Sequence, residues 1–369
     1  MKIAVIAGEK SGDNYGALLI DGFRRIKQDV FIIGTGGEEI KARANLFVES
    51  PYGKMGFCGV ILHLPVFYRR FQKVKETLER ELPSFIVFID NPGFNLKLAE
   101  VLGKKFPCFY YIPPKVWAHN YKRIRIIKKY IKAVITIFPF EKDIYQNEDI
   151  PAFWFGHPVV DLIKTEQWMN KEQSNMSIIG LLPGSREEEV KYILPVYIHI
   201  VKIISEKRRV KAILSASDMA IKRIEEEILK KYHTEMEIVE GSPHIVIKEA
   251  SIVLAVSGTV NLEVALLQKP LLVFYKTRYL DYLLARLMVK LDIISPVNLL
   301  LRKKVVPEYV QHFPYRKIIM DIEDILNQGT LYKQEQEMFS RTGEILCRGN
   351  VSESVAKFLI KATSSGENW

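Results

Sequence analysis

Asp90 is the residue best suited to take a proton. It ends the apolar run Phe88-Ile89-Asp90 and opens Asn91-Pro92-Gly93-Phe94-Asn95. An acid at the end of a buried strand can accept a proton from an attacking hydroxyl that it reaches. The same acid can instead be a turn former or helix cap. Two further segments suit an anion. In Leu182-Pro183-Gly184-Ser185-Arg186 the Gly-Ser turn exposes backbone N–H groups and Arg186 adds a fixed cation, a combination that fits phosphate. The alternative is a loop whose Arg pairs with one of Glu187, Glu188 or Glu189. Ser257-Gly258-Thr259 precedes a helical stretch, so small residues would let phosphate oxygens approach a positive helix end. Glu263 lies about one turn further on. It could hold ribose hydroxyls, or simply be a favourable charge in a first turn.

Other patterns exclude chemistry. Gly8-Glu9-Lys10-Ser11-Gly12-Asp13 follows an apolar run but lacks Walker A spacing, and Gly34-Thr35-Gly36-Gly37 is not G-x-G-x-x-G. There is no D-x-D and no cluster of acids and histidines at metal spacing, so no metal or other cofactor is expected. His63, His119 and His157 are scattered, and His157 reads as a structural histidine.

The elements that must position these residues are short β-rich runs between longer charged stretches. In the first half the runs are 3–7, 30–34, 85–90, 108–112, 134–138 and 153–155. In the second they are 178–182, 211–215, 252–256 and 271–275. Consecutive apolar positions fit strands buried on both faces, and helical stretches between them fit βαβ crossovers. The expected class is therefore α/β, with two doubly wound Rossmann-like domains. Residues 1–165 form the first and 176–330 the second, with the boundary in the polar stretch Lys164–Ser177. A helical segment, 331–369, is expected to pack back on an N-terminal domain. In such sheets ligands sit beyond the strands' carboxyl ends, where the motifs fall.

Charge separates the halves. The 369 residues carry 53 Lys+Arg and 43 Asp+Glu, a formal +10, of which +8 lies within 1–165. Between Glu100 and Glu141 there are nine basic residues and no acid. Such an excess calls for an anionic partner. Three well-separated cysteines form neither a disulfide framework nor a zinc site, which fits a reducing cytosol. No stretch reaches a membrane-spanning length of about 18 apolar residues. The longest apolar stretch, Met55–Tyr68, runs into Arg69, Arg70, Lys73 and Lys75. It is either a buried loop and helix start or an apolar surface, with Met55, Phe57, Val60, Leu64 and Phe67 dipping into the bilayer edge and Arg69 and Arg70 meeting headgroups.

Taken together, eleven segments resemble lipid A disaccharide synthases of Gram-negative bacteria, in family order. They are GEKSGD (8–13), GTGG (34–37), MG (55–56), IDNPGFN (89–95), YYIPPKVWA (110–118), PFEK (139–142), FGHPVVD (155–161), LLPGSREEEV (181–190), SGTVNLEVAL (257–266), PVNLL (296–300) and VPEYVQ (306–311). The resemblance implies an inverting, metal-independent glycosyltransferase of the two-domain GT-B fold. It implies UDP-2,3-diacylglucosamine as donor and 2,3-diacylglucosamine 1-phosphate as acceptor. It also implies work at the cytoplasmic face of an anionic inner membrane, with no nucleic acid as partner and homo-oligomers left open. On that reading Asp90 and Arg186 are catalytic. Gly184, Ser185, Arg186, Ser257, Gly258, Thr259, Glu263 and Asn298 bind the UDP donor, and Ser11, Gly12 and Asp13 line the acceptor side. The chain departs from the family pattern at Gly93, where Asp is usual, and at Pro113, Lys115 and His119. Two rival readings are a UDP-GlcNAc 2-epimerase, which would share the UDP site, and a non-catalytic RNA- or membrane-binding protein suggested by the run Lys122–Lys129. The chain lacks RNP-type and KH-type motifs.

Overall fold

The computed structural model describes residues 1–49, 64–118, 120–165, 176–279, 282 and 293–364. It divides into two compact units, Met1–Glu166 with Cys347–Trp369, and Gln167–Leu346.

The first unit runs β1 (Lys2–Ala7), α1 (Lys10–Ile26), β2 (Phe31–Thr35), α2 (Glu38–Lys41), β3 (Leu46–Phe47), α3 (Leu64–Glu81), β4 (Phe85–Ile89), α4 (Pro92–Leu102), β5 (Cys108–Tyr111), α5 (Arg123–Tyr130), β6 (Ala133–Thr136), α6 (Pro139–Gln146), β7 (Ala152–Trp154) and α7 (Val159–Thr165). The strands form one parallel sheet in the order β3-β2-β1-β4-β5-β6-β7. Every residue of β4, β5 and β6 is buried, as expected for strands covered on both faces. The order reverses direction at β1 and β4, which pair directly with Ala7 opposite Ile89. Loops leaving the sheet at such a switch diverge and open a crevice. The loops here begin with Gly8 and Asp90.

The second unit runs β8 (Ser177–Leu182), α8 (Glu187–Ser205), β9 (Val210–Ala216), α9 (Met219–Lys231), β10 (Glu237–Glu240), α10 (Pro243–Glu249), β11 (Ile252–Val256), α11 (Val260–Leu266), β12 (Leu271–Tyr275), α12 (Pro296–Leu301), β13 (Glu308–Val310), α13 (Tyr315–Leu326) and α14 (Thr330–Leu346). Its parallel sheet has the order β10-β9-β8-β11-β12-β13. The reversal lies between β8 and β11, with Leu182 opposite Ala255. The loops beyond those strands are Gly184–Arg186 and Ser257–Thr259.

The segment after Leu331 is divided between the units rather than forming one tail. Helix α14 stays with the second unit, where the buried Glu335 accepts the Leu271 N–H at 2.9 Å at the start of β12. The chain then returns to the first unit as α15 (Val351–Ser364). Asp161 fixes its start by accepting the N–H groups of Val351 at 3.2 Å and Ser352 at 2.7 Å. Gly22 lets α1 approach, since a Cβ there would stand 2.9 Å from the Ser352 carbonyl.

No described helix is long and apolar enough to cross a membrane. Met55, Phe57 and Val60 lie outside the described residues, as does the side chain of Leu64. Phe67 corrects the outward-facing expectation. Its ring packs edge-on against Phe94, 5.7 Å away, and rests on the unit's core. The outward face of α3 instead carries Val66, Tyr68 and Arg69, with Tyr68 64% exposed. Arg70 lies 3.9 Å from Glu49.

Candidate active site

In the first unit the chain leaves β4 through two consecutive left-handed residues, Asp90 with φ 50° and Asn91 with φ 41°. Such conformations cost non-glycine residues about 1–3 kcal/mol each and persist only where the surroundings dictate them. Here they do. The Asp90 carbonyl accepts the Tyr110 hydroxyl at 2.6 Å and the Asn95 amide at 2.7 Å. Asn95 is fully buried and also donates to the Ile89 carbonyl at 3.1 Å. The Asp90 N–H donates to Tyr111 at 3.3 Å. Gly8 is required beside this elbow, because a Cβ there would fall 1.9 Å from the Asn91 amide nitrogen. A Cβ on Gly12 would stand 3.7 Å from that of Asp90. The first turn of α1 therefore lies against Asp90, with a positive helix end beside a carboxylate.

The other acceptor-side residues divide. Ser11 is half-buried in that first turn. Asp13 is buried, and its carboxylate accepts the N–H groups of Gly37 at 2.8 Å, Glu39 at 3.0 Å and Ile40 at 3.0 Å. It caps α2 and ties the loop after β1 to the loop after β2, so it organises the rim rather than presenting an acid. Gly93 is exposed, and a side chain there would meet open space.

A second cluster ends β5, β6 and β7. Ile112, a β-branched residue, sits at φ 60° before Pro113 and Pro114. The buried Glu141 accepts from the Trp117 indole at 3.2 Å and from the Phe138 N–H at 3.3 Å. Burial pushes its carboxyl up, against the pull of Lys115 and these donors. Burial, then the charge of Lys115, pushes His157 down to about 3, so its ring is neutral near pH 7. Its Nδ1 accepts the Val159 N–H at 3.1 Å. His119 lies outside the described residues.

In the second unit Gly184 has φ 118°, and a Cβ there would meet Glu189 Oε2 at 2.5 Å. Arg186 starts α8 and pairs with Glu189 at 3.1 Å, the two side chains being 64% and 24% exposed. A pair so open to water is worth about 1 kcal/mol or less, so the guanidinium can be drawn to a stronger anion. After β11, Ser257 donates to the Ile294 carbonyl at 2.7 Å. The buried Asn261 closes the turn, accepting the Gly258 N–H at 3.3 Å and donating to Val256 at 2.9 Å. Glu263 follows in the first turn of α11, nearly buried, with Oε2 2.7 Å from Nε2 of His244.

Asn298, expected to line the donor site, is fully buried. Its amide donates to the Val306 carbonyl and to Glu308, both at 2.8 Å, and accepts the N–H groups of Val305 at 2.8 Å and Val306 at 2.9 Å. Glu308 in turn accepts from Ser295 at 2.7 Å and Ile294 at 3.1 Å. Asn298 therefore acts through Glu308 on the loop before α12, whose Ile294 carbonyl meets Ser257. Where the chain leaves β12 and β13, a cavity of about 700 Å³ is lined by Tyr192, Lys276, Arg278, Tyr279, Gln311 and His312. Among the described residues no group of three or more His, Cys, Asp or Glu could hold a metal ion.

The model of the lipid-A-disaccharide synthetase family matches residues 3–355. The chain belongs to that family. It is 31% identical over 326 residues to lipid-A-disaccharide synthase 1 of Legionella pneumophila (strain Lens), covering 84% of each chain. To the lipid-A-disaccharide synthase of Coxiella burnetii (strain RSA 331 / Henzerling II) it is 30% identical over 371 residues, covering 96% of each. Among solved structures it resembles the UDP-GlcNAc 2-epimerase of Neisseria meningitidis bound to UDP-GlcNAc, with TM-score 0.67, 14% identity and coverage of 98% and 100%. It also resembles MurG of Acinetobacter baumannii, with TM-score 0.56, 11% identity and coverage of 98% and 99%. At those identities the likeness is one of fold, and the fold is GT-B. As a member of the lipid-A-disaccharide synthase family, the chain is a glycosyltransferase of lipid A biosynthesis.

Several residues that build these loops were not singled out by the sequence. Asn95 and Tyr110 lie inside recognised segments but carry no signal of their own. His244 lies in no recognised segment, and its partner Glu263 is 19 positions away in the chain.

Proposed function

We propose that the chain transfers 2,3-diacylglucosamine from UDP-2,3-diacylglucosamine to 2,3-diacylglucosamine 1-phosphate. The products are the β-1,6-linked tetraacyl disaccharide 1-phosphate and UDP. The observation that carries the assignment is the clamped Asp90 elbow, a carboxylate held at a switch point by a strained and fully braced backbone.

In the reaction, the acceptor's hydroxyl oxygen attacks the anomeric carbon from the face opposite UDP. The bond from that carbon to the diphosphate oxygen breaks, and the configuration inverts. Asp90 takes the hydroxyl proton as the new bond forms. Negative charge grows on the departing diphosphate. Arg186, released from its weak pair with Glu189, and the Thr259 N–H at the start of α11 stabilise it. The Ser257 and Gly258 N–H groups already donate to Phe274 and Asn261. Glu263 holds the UDP ribose. The acylated substrates bring the enzyme to a lipid surface, where the cations Arg69 and Lys73 of α3 meet anionic headgroups.

The test is UDP release from the two diacylated sugars, with the product mass measured. A product of the summed mass minus UDP is expected. Release of free diacylglucosamine without disaccharide, or epimerisation of UDP-GlcNAc with indifference to the acylated sugars, overturns the proposal.

A further inference from the structure

Glu263 is held by a partner from another helix. His244 sits in the first turn of α10, where Pro243 starts the helix and the Ser242 hydroxyl accepts the His244 N–H at 3.3 Å. That places its ring against α11. Nε2 lies 2.7 Å from Oε2 of Glu263, and the two residues are 2% and 7% exposed. The contact is set by distance rather than by hydrogen-bond alignment. A carboxylate so far from water is costly to keep charged unless a donor or cation faces it. Nε2 of His244 is the group that faces Oε2 here.

We propose that His244 is a positioning residue for nucleotide recognition. By facing Oε2 it fixes the Glu263 carboxylate in one orientation. Oε1 is then left to accept a hydroxyl of the nucleotide's ribose. This rests on the donor reading above, in which Glu263 meets the ribose, and adds what makes that acid able to do so. A histidine that merely filled the core would affect stability and leave discrimination between sugars unchanged.

The experiment is calorimetric binding of UDP and of 2′,3′-dideoxy-UDP to the full chain, with donor kinetics in parallel. The wild-type protein should prefer UDP by about tenfold or more, as expected for hydrogen bonds to a charged acceptor. His244→Gln, which keeps an N–H at the reach of Nε2, should retain most of that gap. His244→Phe should lose it, with the donor KM raised and kcat within about twofold. If His244→Phe does not fold, His244→Asn, whose amide falls short of Glu263, reads the same gap. Full discrimination in a folded Phe or Asn variant overturns the inference and leaves the glycosyl-transfer reading intact. A wild-type protein that binds both nucleotides equally overturns it too, again without touching the product assay. A chain that does not bind UDP fails both.

Discussion

The loops of the two units solve the same geometric problem in opposite ways. Each crevice opens where the strand order reverses, after β1 and β4 in one unit and after β8 and β11 in the other. In the first unit the turn after β4 is made by two non-glycine residues at positive φ, Asp90 and Asn91. In the second the positive φ falls on a glycine, Gly184, and the turn after β11 is closed by Asn261. Of these crevice loops, only the one whose bend carries the acid itself places non-glycine residues at positive φ. A group that takes a proton must sit at one point with one orientation. A diphosphate is met by several backbone donors, and small residues there suffice.

This contrast predicts where activity is most sensitive. Asp90→Asn keeps the shape and the braced carbonyl but cannot take a proton. It should lower kcat by about 10²–10⁴, with the far-UV spectrum and unfolding midpoint unchanged. Activity near the wild-type rate would end the base assignment. Arg186→Ala acts on the binding side and should cost about 10²–10³ in kcat/KM. Because its pair with Glu189 is exposed, stability should hardly move. A destabilised but active Arg186→Ala protein would make the arginine a structural residue and remove the asymmetry between the units.

Much of this was legible in the sequence because the central strands are buried on both faces. Ile252–Val256 and Leu271–Tyr275 are found at the expected residues, and the remaining expected runs differ from their strands by a residue or two at an end. The strands not expected are β3, β10 and β13, two to four residues long and only partly buried. Short or half-exposed strands leave no continuous apolar run. The loops were legible as motifs but not as contacts. Asp13 and Asn298 were expected to meet ligand, yet Asp13 accepts three backbone N–H groups and Asn298 uses both amide hydrogens and its oxygen inside its own unit. A polar residue in a ligand-binding loop and a polar residue that builds the loop look alike in one sequence. Only the count of its hydrogen bonds separates them.

Protonation offers a smaller test in the first unit. His157 takes a proton near 6.5 in the unfolded chain but only at about 3 when folded, because burial and then Lys115 oppose its charge. Between those values the unfolded chain holds more protons. Stability is therefore full above about 6.5 and falls as pH drops toward 3, by at most about 1.4 kcal/mol per pH unit. In urea unfolding at pH 7 and pH 5, His157→Phe should lose less stability between the two than the wild-type protein. An equal loss would mean that another group carries the acid sensitivity.

The smallest effect tests the strain directly. Asp90→Ala and Asp90→Gly both lack the carboxylate and differ at the left-handed position by a single Cβ. Glycine adopts φ 50° without the steric cost that alanine meets, so the Gly variant should be the more stable of the two by about 1 kcal/mol. In the second unit the same exchange runs in reverse. Gly184→Ala forces a Cβ to within 2.5 Å of Glu189 at φ 118°, and should destabilise by about 1–3 kcal/mol. If Ala at position 90 matched Gly in denaturant unfolding, the elbow would carry no strain. The first unit would then hold its acid by hydrogen bonds alone, as the second holds its turn. If the Gly variant is the more stable, the bend is paid for by Tyr110 and Asn95, and removing either brace should cost more in the wild-type protein than in Asp90→Gly.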